Sequence, residues 1–170
     1  AQAVANYFKE RRVERIFTSP LRRSIDTARK IQECTGGALF IESALREIDF
    51  GDWEGVAREE VKTRWKEAYK KYVQNPVENP PPGVESPHTV RSRILEFWED
   101  LKLLMVNEDV RLCILVTHKS VSRMLLSALL NEKESQYRER RLDNCSITKL
   151  IVAPDGKCTV EYENRITHLV

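Results

Sequence analysis

Apolar positions recur along the chain at two spacings, and the points where one gives way to the other predict the element boundaries. Val4, Ala5, Tyr7 and Phe8 fall at helical spacings within residues 1–12, which end in the charged run Lys9-Glu10-Arg11-Arg12. Cations at that end complement a helix dipole. Ile16-Phe17-Thr18-Ser19 reads as a short strand stopped by Pro20. Leu21 to Cys34 returns to helical spacing, with Leu21, Ile25, Ala28 and Ile31 on one face and Gly36-Gly37 at its end. Leu39-Phe40-Ile41 predicts a second strand.

Residues 45–55 follow neither period and hold four acids, two glycines and two aromatics. Arg58 to Tyr72 is helical again, with Val61, Trp65, Ala68 and Tyr72 on one face. Four prolines between Asn75 and Gly83 predict an extended loop and a candidate flap. Ser86-Pro87 starts a helix, an N-cap hydroxyl before proline, which Val90, Ile94, Phe97, Trp98, Leu101 and Leu104 carry to about Met105. Leu112 to Val116 is a continuous apolar run, and at Thr117-His118 the spacing turns helical through Val121, Met124, Leu125 and Ala128. After a charged connector, Asn131 to Asp143, residues 144–152 alternate as a strand. Pro154-Asp155-Gly156 turns it, and Cys158 to Asn164 returns as its hairpin partner. Alternating strand and helix signals predict an α/β domain, a mostly parallel sheet flanked by helices in three layers, with residues 1–170 forming one domain.

Composition narrows the class. Hydrophobic content of 41% and charged content of 32% are those of a globular protein, and a net charge of +2 argues against nucleic acid as a partner. No apolar run reaches the length of a membrane span and no signal peptide opens the chain, so a cytoplasmic protein without membrane contact is expected. Cysteines 34, 113, 145 and 158 are scattered; Cys113 and Cys145 lie in apolar strand patterns and read as small core residues. His88, His118 and His168 are far apart in sequence, and neither a bound metal nor another cofactor is predicted. Residues 1–30 carry eight Lys/Arg against three Asp/Glu, either an anion site or a solvated face.

Ligands bind beyond the carboxyl ends of strands in open α/β sheets, and four places put polar groups there. Thr18-Ser19-Pro20-Leu21-Arg22-Arg23 ends a strand and opens a helix with two guanidinium groups, whose rigid forks suit phosphate oxygens. A surface arginine pair is the plain alternative. Glu47 serves as a general acid if enclosed beside the aromatics of its segment, and as nothing more than a solvated charge otherwise. His118 stands where a strand feeds a helix whose free N–H groups point into the crevice. Position alone favours a capping or packing role for it. Lys119, a cation in the first helical turn, opposes the dipole by about 0.3–1 kcal/mol, which favours an anion there. The fourth place is the loop Pro82-Gly83-Val84-Glu85-Ser86, set to close over the crevice. Arginine, histidine, lysine and an acid around one helix N-terminus suit phosphoryl transfer, which must clamp oxygens and protonate a leaving group. A flavodoxin-like nucleotide-binding domain fits the α/β pattern but lacks a glycine-rich phosphate loop.

Five segments, taken in order, resemble the histidine phosphatase superfamily. They are Ile16 to Ala28 with Thr18-Ser19-Pro20-Leu21-Arg22-Arg23, Leu45 to Gly55 with Arg46-Glu47, Pro82-Gly83-Val84-Glu85-Ser86, Val116-Thr117-His118, and the close Asn164 to Leu169. The resemblance spans the whole chain. It implies a phosphoglycerate-mutase-like fold and catalysis through a phosphohistidine. Arg23 would clamp the transferred phosphoryl group, Glu47 would donate the proton to the leaving oxygen, and His118 would stabilise the transition state as the second histidine. Arg22 and Ser19 would be phosphate-binding neighbours, with Lys119 and Ser120 beside them. The short segment between Gly55 and Pro82 resembles small-metabolite phosphatases more than mutases, so a phosphatase acting on a small phosphorylated metabolite is expected. A homodimer is compatible with this reading.

Two departures stand out. The family's nucleophile lies in an Arg-His-Gly motif on a first strand, and that motif is absent from these residues. Expected consequences are an open apolar sheet edge and, for the chain as it stands, either an incomplete enzyme or an inactive phosphate-binding or scaffolding domain. Lys119-Ser120 replaces the glycine that commonly follows the histidine, a change that would alter substrate choice.

Overall fold

The computed structural model describes residues 1–169. Three strands, β1 (Arg15–Thr18), β2 (Ala38–Ile41) and β3 (Cys113–Val116), form a parallel sheet in the order β2-β1-β3. A separate antiparallel pair, β4 (Ile147–Val152) and β5 (Cys158–Arg165), makes a hairpin. Helices α1 (Gln2–Phe8) and α2 (Arg22–Thr35) cover one face of the sheet. On the other lie α5 (Pro87–Asn107) and α6 (Lys119–Leu129).

The two-residue period of a strand divides the core into these layers. Ile16 and Ile114 point into one cluster with Val4, Ala5, Phe8, Ala28 and Ile31. Phe17 points the other way, into a larger cluster with Val90, Ile94, Phe97, Leu101, Val121, Met124 and Leu125. Register fixes what comes next: Thr18 lies opposite Val116 on one side and Ile41 on the other, so three chain segments leave the sheet together.

The expected helix at residues 58–72 is two helices, α3 (Arg58–Arg64) and α4 (Lys66–Gln74), broken at Trp65 with φ −120° and ψ 44°. The break serves an aromatic cluster apart from the main core. Trp65, Tyr69 and Tyr72 all turn toward Trp53, with ring centroids 6.4, 6.0 and 5.4 Å away. The strand expected from residue 144 begins at Ile147. Cys145 sits in a turn before it, exposed and with a left-handed φ of 59°, so it is no core residue; Cys113 is half-buried in β3. The expected flap between Asn75 and Gly83 has no regular element, yet Pro76 and Pro81 are buried. Its end approaches the irregular segment closely: a Cβ on Gly51 would lie 2.2 Å from the Gly83 carbonyl oxygen. No helix among the described residues is long and apolar enough to cross a membrane.

Candidate active site

β1 and β3 deliver Ser19 and Thr117-His118 to the same edge. His118 is the N-cap residue of α6 in extended conformation, but its side chain caps nothing. Instead the ring turns into the sheet end, where only 8% of the residue is exposed. Nε2 lies 2.7 Å from Ser19 Oγ and 3.2 Å from Ser24 Oγ, and Nδ1 lies 3.1 Å from Arg23 Nη2. A guanidinium only donates, so Nδ1 accepts, and the neutral ring carries its proton on Nε2, facing the two serine oxygens. Burial first, then the charges of Arg23 and Arg93, push the His118 pKa down to about 4. Without a ligand the ring is neutral at neutral pH, and an anion beside it would reverse that preference.

Ser19 is completely buried, and its hydroxyl also accepts the Leu21 N–H at 3.2 Å, which fixes the turn into α2. Arg23 stands in the first turn of α2 and is exposed, so its fork reaches from the His118 ring into solvent. Arg22, expected beside it as a phosphate ligand, does not join the group. Its side chain is 94% exposed and faces Asp26 at 3.7 Å, about 200° around the helix from buried Ser24.

Glu47 is half-buried in the irregular segment, its Oε1 accepting the Ile48 N–H at 3.0 Å. The segment is tied to the site by the hydroxyl of Thr117, which donates to the Leu45 carbonyl at 2.7 Å. Burial lowers the pKa of Arg123 of α6, the Glu47 charge opposing it slightly, and among the described residues its Nε is buried without a hydrogen-bond partner. Lys119 is exposed at the start of α6, and Ser120 is half-buried in the same turn. The Asp143 carboxyl is held low by the Asn164 side chain first, and Lys119 is among the charges that contribute.

Three members of the group were not singled out from sequence. Ser24 follows Arg23 and is buried on the inward face of α2. Thr117 reads from spacing only as a strand end. Arg93 sits on the face of α5 shared by Val90, Ile94 and Phe97, and a charged residue at an apolar-face position was the available signal. His88 and His168 lie elsewhere, near Glu134 and the Cys145 carbonyl.

The domain is a three-layer α/β sheet that brings His118, Ser19 and Arg23 together beyond adjacent parallel strands. The chain belongs to the Histidine phosphatase superfamily (branch 1), whose sequence model matches residues 1–165. Phosphoserine phosphatase 1 of Hydrogenobacter thermophilus is 30% identical over 146 residues, covering 86% of this chain and 68% of that protein. Among solved structures, Bacillus stearothermophilus YhfR superposes with a TM-score of 0.89 at 22% identity, covering 99% of this chain and 82% of that one, a likeness of fold. The mycobacterial glucosyl-3-phosphoglycerate phosphatase Rv2419c superposes with a TM-score of 0.81 at 26% identity, covering 96% of this chain and 84% of that one.

Proposed function

We propose that the protein is a phosphomonoesterase acting on a small phosphorylated metabolite. In this reading His118 and Arg23 hold the phosphoryl group, Ser19 and Ser24 orient His118, and Glu47 protonates the leaving oxygen. The observation that carries it is the His118 cradle, a buried imidazole with serine hydroxyls at Nε2 and a half-solvated guanidinium at Nδ1. Arg23 offers further N–H groups to oxygens arriving from solvent. The names of the relatives, phosphatases of phosphoserine and of glucosyl-3-phosphoglycerate, fit the same class.

The chemistry divides into two displacements. A nucleophilic imidazole attacks phosphorus while the phosphorus–oxygen bond to the substrate breaks, and Glu47 in its acid form gives the departing oxygen its proton. Water then attacks the phosphohistidine, giving its proton to the Glu47 carboxylate, and inorganic phosphate leaves. The nucleophile is the one the family resemblance implies, in the Arg-His-Gly motif that residues 1–170 do not contain. We assign it to sequence outside them. The pairing pattern supports a further strand: among the described residues β3 pairs with β1 and with no other strand, so it stands at an edge of the sheet. Arg22 has no part in this reading, and Lys119 and Ser120, in the first turn of α6 after His118, are assigned to substrate choice. No metal is required. Four free cysteines fit a reducing compartment such as the cytoplasm.

Hydrolysis of 4-nitrophenyl phosphate by the full-length protein tests the proposal. His118→Ala and Arg23→Ala are each expected to lower kcat/KM by about a hundredfold or more. A second reading, a phosphate-binding domain without turnover, is favoured by the surroundings of His118, which among the described residues include no second imidazole. Phosphate binding without hydrolysis in the full-length protein would select it.

A further inference from the structure

Glu47 sits in a segment with little regular structure, and a general acid must be held close to one geometry to be useful. The structure shows what frames that segment. Glu85, which follows the proline loop, forms a two-armed ion pair with Arg93 of α5, with Arg93 Nε 2.9 Å from Glu85 Oε1 and Nη2 3.0 Å from Oε2. The two backbones of Asp49 and Glu85 are also tied. The Asp49 N–H donates to Glu85 Oε2 at 3.2 Å, and the Glu85 N–H donates to the Asp49 carbonyl at 2.7 Å. Arg93 uses its remaining arm on the Ala44 carbonyl.

These bonds close a ring around the acid. Ala44 is held three residues before Glu47 and Asp49 two residues after it, both through one Arg93–Glu85 pair. The Thr117 bond to Leu45 fastens the same segment to the residue beside His118. The pair is about one-fifth exposed on each side, so it is neither a screened surface bridge nor an isolated buried charge. Its shape matters as much as its charge: the planar fork of Arg93 meets both carboxylate oxygens and a carbonyl at once, which a lysine cannot copy.

We propose that Glu85 and Arg93 are positioning residues that hold Glu47 at the leaving-group oxygen. This rests on the reading of Glu47 as the general acid. Their effect on Glu47 runs through the placement of the 44–49 segment; Arg93 also carries one of the charges that lower the His118 pKa, and Arg93→Lys keeps that charge. Protonation of the leaving oxygen matters for alkoxide leaving groups and hardly at all for 4-nitrophenolate, so the two substrate classes separate positioning of the acid from general damage.

The experiment measures kcat and KM of the full-length protein on an alkyl phosphate and on 4-nitrophenyl phosphate for wild type, Glu47→Gln, Glu85→Ala, Glu85→Gln and Arg93→Lys, with thermal melting as a check of folding. A misplacement of about 1 Å costs up to about a hundredfold, so Glu85→Ala is expected to lose about tenfold to a hundredfold in kcat on the alkyl phosphate and less than about threefold on the aryl one. Glu85→Gln, which keeps an acceptor for the Asp49 N–H, should recover part of the loss, and Arg93→Lys should share the selectivity of Glu85→Ala. If Glu47→Gln shows the leaving-group selectivity but the Glu85 and Arg93 variants lose equally on both substrates, or on neither, the positioning role is wrong and the acid assignment stands. If Glu47→Gln itself shows no selectivity, the acid assignment falls and takes the positioning role with it. Should Glu85→Ala not fold, Glu85→Gln and Arg93→Lys give the same comparison.

Discussion

His118 should make the protein acid-sensitive in a defined window. Its pKa is about 4 in the folded state, against an ordinary 6.5 once the ring is hydrated in the unfolded chain. Between those values the unfolded chain binds the extra proton and the folded chain does not. Stability is therefore complete above about pH 6.5 and is lost as pH falls toward the folded value. Integrating the two titrations gives a loss of about 2 kcal/mol between about pH 8 and about pH 5, and about 3 kcal/mol in the limit below both pKa values. Urea unfolding at the two pH values, in wild type and in His118→Gln, isolates the contribution, since carboxylates elsewhere titrate alike in both proteins. The variant should lose less stability on acidification by about that amount. Saturating inorganic phosphate should also shrink the wild-type loss, because a bound anion favours the imidazolium. Identical pH dependence in wild type and variant would refute the burial and cationic surroundings inferred for the ring.

Other consequences are quicker to check. Arg22→Ala should leave kcat/KM on an aryl phosphate within about twofold of wild type, since an exposed pair of this kind contributes little, whereas Arg23→Ala should be severely impaired; equal losses would return Arg22 to the site. Gly51→Ala would set a Cβ 2.2 Å from the Gly83 oxygen at a φ of 51°, and should lower stability by more than about 1 kcal/mol in urea titration. Ser24→Ala should weaken phosphate binding less than His118→Ala does, as Ser19 still faces Nε2, and calorimetric titration with inorganic phosphate would show the order.

Much of the fold was legible because burial leaves a period. The strand at Ile16 and the helix from Leu21 each have apolar positions on a face that the sheet or its covering helices occupy. Boundaries were less readable where the period is interrupted: Trp65 fits a continuous helical face, yet the helix breaks there, and Trp65, Tyr69 and Tyr72 turn toward Trp53. Cys145 alternates correctly for a strand and yet sits in a tight turn, since sequence spacing carries no information about φ. At the site, the resemblance names His118, Arg23 and Glu47 together, and the structure adds the serine hydroxyls of Ser19 and Ser24 at the His118 ring. Arg22 falls outside the group because it lies about 200° around α2 from buried Ser24, where its side chain projects into solvent. The Asp143 carboxyl, lowered mainly by Asn164 and Arg141 and last by Lys119, stands more than twenty residues from Lys119 in sequence, a proximity only the fold creates. The Glu85–Arg93 frame was illegible for the same reason: its bonds join segments whose approach depends on the packing of α5.

The central claim is that His118, held by Ser19 and Ser24 and flanked by Arg23, is an oxyanion site. Calorimetric titration with orthovanadate, a mimic of the transferred phosphoryl group, tests it most directly in wild type, His118→Ala, Arg23→Ala and Arg22→Ala. A single site is expected, with affinity reduced about tenfold or more in the first two variants and unchanged in Arg22→Ala. Wild-type affinity in His118→Ala would contradict the claim.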